Sequence, residues 1–266
     1  MRIVVILGSP KKNGAGMLAA KDIESVMNES DSFDFEYIQL SDAGLGLCRG
    51  CFLCISKGED VCPMSEDRKM LQARLEQADG IILISPTYVQ DVPWVMKNFI
   101  DRFAFTHHRP ILLDKKMMVV ANGGAGLKRV RESLSMAIGG PDIVAELDYI
   151  SPNWPMSPRA SAKRDKAVRR SVSKFMGAIE KGGHEPTFSK YLMFRFFKDV
   201  SDEIEEYLPA DHRYYSNKGD YHTSVKINRV WKFFAGVIIA VLKRTMADMA
   251  PYVGEDRGDE PQAPHS

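Results

Sequence analysis

The chain has 266 residues, 44% hydrophobic and 27% charged, the balance of an ordinary soluble globular protein. That length suits one large α/β domain, or one domain with an appendage. A formal net charge of +1 supplies no global field for a polyanion, and no nucleic-acid motif is present, so nucleic acid is not expected as a partner.

The first apolar run, RIVVIL (2–7), is too short for a secretory signal and reads as a buried strand. A cytoplasmic location is the expected default, and there structural disulfides are disfavoured. The loop GSPKKNGAG (8–16) follows, then a helix with Ala19, Ala20, Ile23, Val26 and Met27 on its apolar face. FEYIQL (35–40) is the second strand. Ser65, Glu66 and Asp67 suit a helix start, since a cap and an acidic first turn complement the dipole. Leu71, Leu75 and Ala78 then recur at helical spacing.

GIILIS (80–85) is the continuous apolar run of a strand covered on both faces. Pro93 fits the first turn of the next helix, with Met96, Phe99, Ile100 and Phe103 on one face. KMMVVAN (116–122) and IVAELDYI (143–150) supply two more strands. Alternating strands and helices predict a doubly wound, five-stranded parallel sheet. Prolines 152, 155 and 158 interrupt the pattern, and a helix over about 162–181 is expected to close the domain. The expected organisation is an α/β domain over 1–181, an α-helical extension over 187–249, and a disordered tail over 250–266, rich in Gly, Pro, Glu and Asp.

In such sheets ligands bind beyond the carboxyl ends of the strands, which selects the loops 8–16, 85–92 and 122–127. In the first, Gly8, Ser9, Gly14 and Gly16 allow backbone N–H groups to approach a phosphate at a helix start, while Lys11 and Lys12 add charge. The dinucleotide fingerprint G-x-G-x-x-G is absent from the strand end, and an ordinary Gly-rich turn has the same composition. Pro86, Thr87 and Tyr88 place amides and an aromatic edge where a flat ring can lie, or are simply rim residues, as Trp94 can be. NGGAG (122–126) brings main chain close to a planar ligand, although a plain turn needs the same glycines.

Cys48, Cys51, Cys54 and Cys62 are the only cysteines, spaced C-x2-C-x2-C-x7-C with Pro63 after the last. Three close thiolates and a fourth followed by proline approximate ferredoxin-style ligation, so a 4Fe–4S cluster is one reading. Metal-free packing is the other. Zinc fits less well, because its structural sites more often use two separated knuckles. His107 and His108 form a pair with no further ligand at metal spacing.

FSKYLMFRFFKDV (188–200) and VWKFFAGVIIAVLKR (230–244) read as helices. The ten apolar or Gly residues 233–242 span about 15 Å of helix, half of a bilayer core, so they do not cross a membrane. Residues 226–244 hold five Lys or Arg and no acid, which is compatible with peripheral membrane contact; packing on the domain or across a dimer is the alternative. Asp211, His212, Tyr214, Tyr215 and Tyr221 are expected to form a polar-aromatic patch over the ligand pocket.

GSPKKNGAG, the cysteine spacing, ADGIILISPTY and MKNFIDRF together resemble the NAD(P)H-dependent FMN reductase superfamily, and within it the iron–sulfur flavoproteins. HHRPILLDKK (107–116) is similar to the fourth-strand approach of those proteins. The resemblance covers roughly residues 1–150 and implies a flavodoxin-like fold. It also implies that Ser9, Lys11, Asn13, Gly14, Ala15 and Gly16 surround the FMN phosphate. Pro86, Thr87, Tyr88 and Val89 then lie beside the isoalloxazine, and Asn122, Gly123, Gly124 and Gly126 flank its other edge. Relatives commonly carry Asn-Thr where this chain has Ala15-Gly16, so a phosphate-binding hydroxyl is missing here.

The implied activity is FMN-dependent electron transfer from NAD(P)H or a redox protein to an acceptor, with Cys48, Cys51, Cys54 and Cys62 as the ligands of the possible cluster. The flavin carries the redox chemistry, so no catalytic acid or base is assigned, and Tyr88 is the residue expected to stack on substrate. A non-turnover electron carrier and a flavodoxin-like interaction protein, docked to a partner or membrane surface through the C-terminal helices, are the alternatives. Homo-oligomers are common among the relatives and expected here by resemblance.

Overall fold

The computed structural model describes residues 1–184 and 186–246. Its first part is built from β1 (Arg2–Leu7), α1 (Ala15–Met27), β2 (Asp34–Gln39), the single turn α2 (Leu53–Ser56), α3 (Ser65–Glu76), β3 (Gly80–Pro86), α4 (Trp94–Arg102), β4 (Lys116–Gly123), α5 (Leu127–Ser135), β5 (Asp142–Ile150) and α6 (Pro158–Lys181). The five strands are parallel in the order β2-β1-β3-β4-β5, the flavodoxin-like winding.

Strand composition follows position in the sheet. The inner strands β1, β3 and β4 are buried almost end to end, which their unbroken apolar runs require. β5, at an edge, alternates buried Ala145, Leu147 and Tyr149 with outward Glu146, Asp148 and Ile150. One face of the sheet forms a core with α1 and α6, joining Ile3, Val5, Ile82 and Val120 to Ala19, Ile23, Val172 and Phe175. On the neighbouring residues Val4, Ile6, Leu83 and Val119 burial is equally complete.

The last helix of this part begins earlier than the prolines suggest. Pro158 occupies its first turn, where the missing N–H costs nothing, and Ser157 caps it by accepting from the Ala160 N–H at 3.2 Å. Ser65 likewise starts α3, but as its first residue and without a side-chain cap bond. His107 donates to the Met136 carbonyl at 2.8 Å, a contact within the domain.

The chain divides into two compact units: Met1–Cys54 with Glu59 onward, and Ile55–Gly58 with Pro186 onward. The excursion of Ile55–Gly58 is not legible in the sequence. The second unit contains α7 (Phe188–Glu203), α8 (Pro209–Ser216) and α9 (Arg229–Met246). Its core joins Tyr191, Phe194, Tyr215, Tyr221, Ala235 and Ile239. The polar-aromatic patch expected from the sequence is therefore mostly interior: Asp211, Tyr215 and Tyr221 are buried, and Phe194 packs on both tyrosine rings. No helix among the described residues is long and apolar enough to cross a membrane. The tail expected to be disordered, 250–266, lies outside the described residues.

Candidate functional site

The winding reverses between β1 and β3, and the loops leaving their carboxyl ends part there to open a crevice. A cleft of about 420 Å³ lies at that place. The β1–α1 loop contributes Ser9, Lys11, Gly14, Ala15 and Gly16; the exit of β3, Pro86, Thr87 and Tyr88; the exit of β4, Asn122, Gly123 and Gly124; and the exit of β5, Ser151 to Trp154. The exits are tied to one another. Thr87 N–H donates to the Asn122 carbonyl at 3.0 Å, and Ser151 N–H to the Gly123 carbonyl at 2.9 Å.

Two glycines in these loops answer to close approach. A Cβ on Gly8 would stand 2.5 Å from Met96 Cε of α4, so the first loop leaves the strand against a helix. Gly123 has φ 152°, and its Cβ would meet Thr87 Cγ2 at 2.5 Å.

The polar groups of the cleft suit an anion at one end. Gly14 caps α1 in extended conformation without a side chain to offer, and the first turn contains no acid. The leading N–H groups of Ala15 and Gly16 therefore sit at the positive end of the helix with no side-chain cap. Ser9, almost buried, accepts from the Lys11 N–H at 3.1 Å, which turns the loop around the same point. Lys12 is committed elsewhere, paired with Asp42 at 2.6 Å. Further in, Asn122 Oδ1 and Ser151 Oγ are buried without a hydrogen-bond partner. Such atoms cost stability until a ligand or water satisfies them.

Three residues expected at this site do not line it: Asn13, Val89 and Gly126. Asn13 is exposed. Val89 is fully exposed at the tip of a tight turn, closed by Tyr88 N–H donating to the Asp91 carbonyl at 2.8 Å. Positive φ angles of 51° at Val89 and 64° at Gln90 give that turn its primed form. Gly126, at φ 72°, is the N-cap of α5.

All four cysteines line one recess, together with Arg49, Phe52, Pro63 and Met64. None is in a disulfide; Cys48 and Cys51 are exposed, Cys54 and Cys62 half-buried. Burial pushes the Cys54 thiol up from its ordinary value, the neighbouring Cys62, Cys48 and Cys51 add to the effect, and Arg109 opposes it. The sulfurs are thus electrostatic neighbours. Among the described residues no group of three or more His, Cys, Asp or Glu is gathered to hold a metal ion. What the four thiols share is the wall of a recess.

The loop carrying them is clamped by hydrogen bonds with Asn98, Arg102 and Arg109. Asn98 of α4 accepts from the Cys48 N–H at 2.9 Å and donates to the Gly46 carbonyl at 3.1 Å. Arg102, one turn on, donates to the Gly46 carbonyl at 2.7 Å, to the Met64 carbonyl and to Asp67. Arg109 donates to the Cys54 carbonyl and pairs with Glu59 at 3.1 Å. Sequence reasoning found MKNFIDRF and HHRP as motifs but not this role for Asn98, Arg102 and Arg109. It also missed Ser151, Pro152, Asn153 and Trp154, although the rule that selected three strand ends applies equally to the end of β5.

Comparison with known proteins finds relatives of this sequence. An iron–sulfur flavoprotein of Archaeoglobus fulgidus is 38% identical over 117 residues, covering 43% of this chain and 51% of that protein. An iron–sulfur flavoprotein of Methanocaldococcus jannaschii is 33% identical over 102 residues, 38% of this chain and 51% of its own length. This chain therefore spans about half the length of those two relatives. One from Clostridioides difficile is 28% identical over 201 residues, 73% of this chain and 86% of that protein. Residues 1–145 match the NADPH-dependent FMN reductase family, and with more than half of its 266 residues in that match this chain belongs to it.

Proposed function

We propose that this chain binds FMN in the cleft at the β1/β3 switch point and works as an NAD(P)H-dependent oxidoreductase, with a 4Fe–4S cluster on Cys48, Cys51, Cys54 and Cys62. The observation that carries the flavin reading is the pair of buried, unpartnered acceptors, Asn122 Oδ1 and Ser151 Oγ, in a cleft that begins at an uncapped helix N-terminus. A dianionic phosphate and a flat ring with polar edges satisfy both halves of that arrangement.

In this reading the N–H groups of Ala15 and Gly16, with Ser9 and Lys11, hold the phosphate. Backbone amides stand in for the hydroxyl that Gly16 lacks. Pro86, Thr87 and Tyr88 line one side of the ring, Asn122 to Gly124 the other, and Asn153 and Trp154 the mouth. Asn13, Val89 and Gly126 act on the conformation of these loops rather than on the ligand. FMN supplies the redox chemistry, accepting hydride and passing electrons on singly or in pairs. The chain's part is to hold it, shape its mouth and set its surroundings. Tyr88, half exposed at that mouth, offers its ring to an incoming substrate.

The cluster reading rests on donor chemistry, four thiols around one recess with a clamped loop. Cys48 and Cys51 are exposed beside exposed Leu47 and Phe52, which favours a redox protein as one electron partner. Homo-oligomerisation and a cytoplasmic location belong to the same reading.

Anaerobic purification followed by absorption spectroscopy and iron and sulfide assays tests it, with stopped-flow reduction by NADPH and NADH as the second step. Bound flavin and bleaching by either nucleotide are expected. A colourless protein that takes up no added FMN would overturn the reading and leave an interaction protein. Bound flavin that neither nucleotide reduces would leave an electron carrier.

A further inference from the structure

α9 is apolar on two opposite sides. At roughly 100° per residue, Trp231, Ala235 and Ile239 fall on one side of the helix, and these join the core of the second unit, where α9 packs on α7. Val230, Phe233, Phe234, Val237 and Val241 fall within an arc of roughly 100° on the other side, and all five are exposed. Phe233 is 67% and Phe234 52% exposed. The stripe is about 16 Å long. Nothing in the packing of this unit requires it, since the core is closed from the opposite side.

Its electrical setting narrows the occupant. Residues 226–244 carry Lys226, Arg229, Lys232, Lys243 and Arg244 and no acid, so cations stand at both ends of the stripe. A second copy laid antiparallel along it would set Arg229 against Arg244, and laid parallel would set each cation against its twin. Like charge meets like in both cases, and the segment offers no carboxylate to relieve it. Lys232 and Lys243 do reach Asp220 and Glu203, at 2.5 and 2.6 Å, but these are surface pairs that exchange readily for another anion. An anionic bilayer satisfies both features, taking the Phe and Val side chains into its headgroup boundary and the flanking cations against its phosphates.

We propose that the outer stripe of α9 seats this protein peripherally on an anionic lipid surface. The helix lies in the interface and does not enter the hydrocarbon core, in keeping with its length and charge. The inference is independent of the flavin and of the cysteines.

Flotation of the full chain with vesicles tests it, using phosphatidylcholine alone and phosphatidylcholine mixed with phosphatidylglycerol. The parent should float with the mixed vesicles, release as salt rises, and bind the neutral ones at least tenfold less. Phe233→Ser with Phe234→Ser, both exposed, should weaken binding to mixed vesicles at least tenfold while circular dichroism stays unchanged. A parent that stays unbound with both vesicles overturns the proposal, as does a double variant that floats like the parent. Sedimentation velocity provides the remaining check. If the parent fails to float and the double variant converts a dimer to a monomer, the stripe is an interface between copies and the proposal falls.

Discussion

Arg102 and Asp67 form an ion pair, with Arg102 only 2% and Asp67 23% exposed, between the two ends of the cysteine loop. Arg102 also donates to the carbonyls of Gly46 and Met64, two residues before the first cysteine and two after the last. Gly46 N–H closes the circuit by donating to Asp67 at 2.8 Å. Burial disfavours the charge on Asp67, but the bonds from Arg102 and the Gly46 amide outweigh it and hold the carboxyl below its usual range. α3 and α4 thereby fix the two points from which the cysteines are hung.

Replacing Arg102 with leucine takes the cation from Asp67 and the donor from the Met64 carbonyl, while Asn98 still serves the Gly46 carbonyl and the Gly46 N–H still serves Asp67. It should cost about 3 kcal/mol in urea denaturation, toward the lower end for a broken buried pair because Asp67 keeps that bond and some solvent. The pH dependence follows from the lowered Asp67 value. Its contribution is complete above the ordinary carboxylate value of 3.8 and is lost as the pH falls through the lower folded value. The parent should thus lose its advantage over Asp67→Asn only in that acid window. An advantage that stays constant down to full protonation would remove the pair from the stability of the loop.

Asn122 permits a test in which two effects have opposite sign. Its unpartnered Oδ1 is a liability in the empty cleft, so Asn122→Leu should leave the flavin-free protein equally stable or more so. The same change should weaken FMN binding about tenfold, the worth of one hydrogen bond to a buried polar group. Fluorescence titration of the flavin and thermal unfolding of the apo form read the two separately. A drop in apo stability with unchanged FMN affinity would make Asn122 a structural residue.

The strands and the two glycine-bearing loops are legible because each rests on a local signal: unbroken apolar runs in β1, β3 and β4, and glycine where β1 and β4 end. The failures have a different origin. Val89 sits next to Tyr88, yet a primed turn spends its side chain on solvent, and no residue type there announces positive φ. The start of α6 is obscured because Pro158 reads as a breaker unless Ser157 is recognised as a cap. The roles of Asn98 and Arg102 depend on a packing partner about fifty residues away, Gly46, which no spacing rule reports.

Gly16 stands where the family resemblance implies a phosphate-binding hydroxyl, and the geometry leaves room to restore one. A Cβ there would lie 3.5 Å from Asn122 Oδ1 and 3.6 Å from Ile84 Cγ2, ordinary contact distances. Gly16→Ser should therefore fold normally, gain about 0.5 kcal/mol from a stiffer unfolded chain, and tighten FMN binding about tenfold through one charge-assisted bond to phosphate. Riboflavin, which has no phosphate, is the control: its affinity should not change. Equal tightening of riboflavin would place the phosphate away from the start of α1.

Trp154 marks the loop that the sequence pattern did not select. It is 69% exposed at the mouth of the cleft, so its ring contributes little to the fold and is free to cover a planar ligand. Trp154→Ala should leave thermal stability within about 0.5 kcal/mol of the parent, as for other surface positions. FMN affinity should fall about three- to tenfold, the scale of an aromatic contact in a partly wet site. Quenching of tryptophan fluorescence on FMN addition separates this residue from Trp94 and Trp231: Trp154→Phe should abolish most of the quenching while largely preserving affinity. Full quenching in the Trp154→Phe protein would mean that the flavin lies out of its reach, and the β5 exit would then belong to the wall of the cleft and not to its lid.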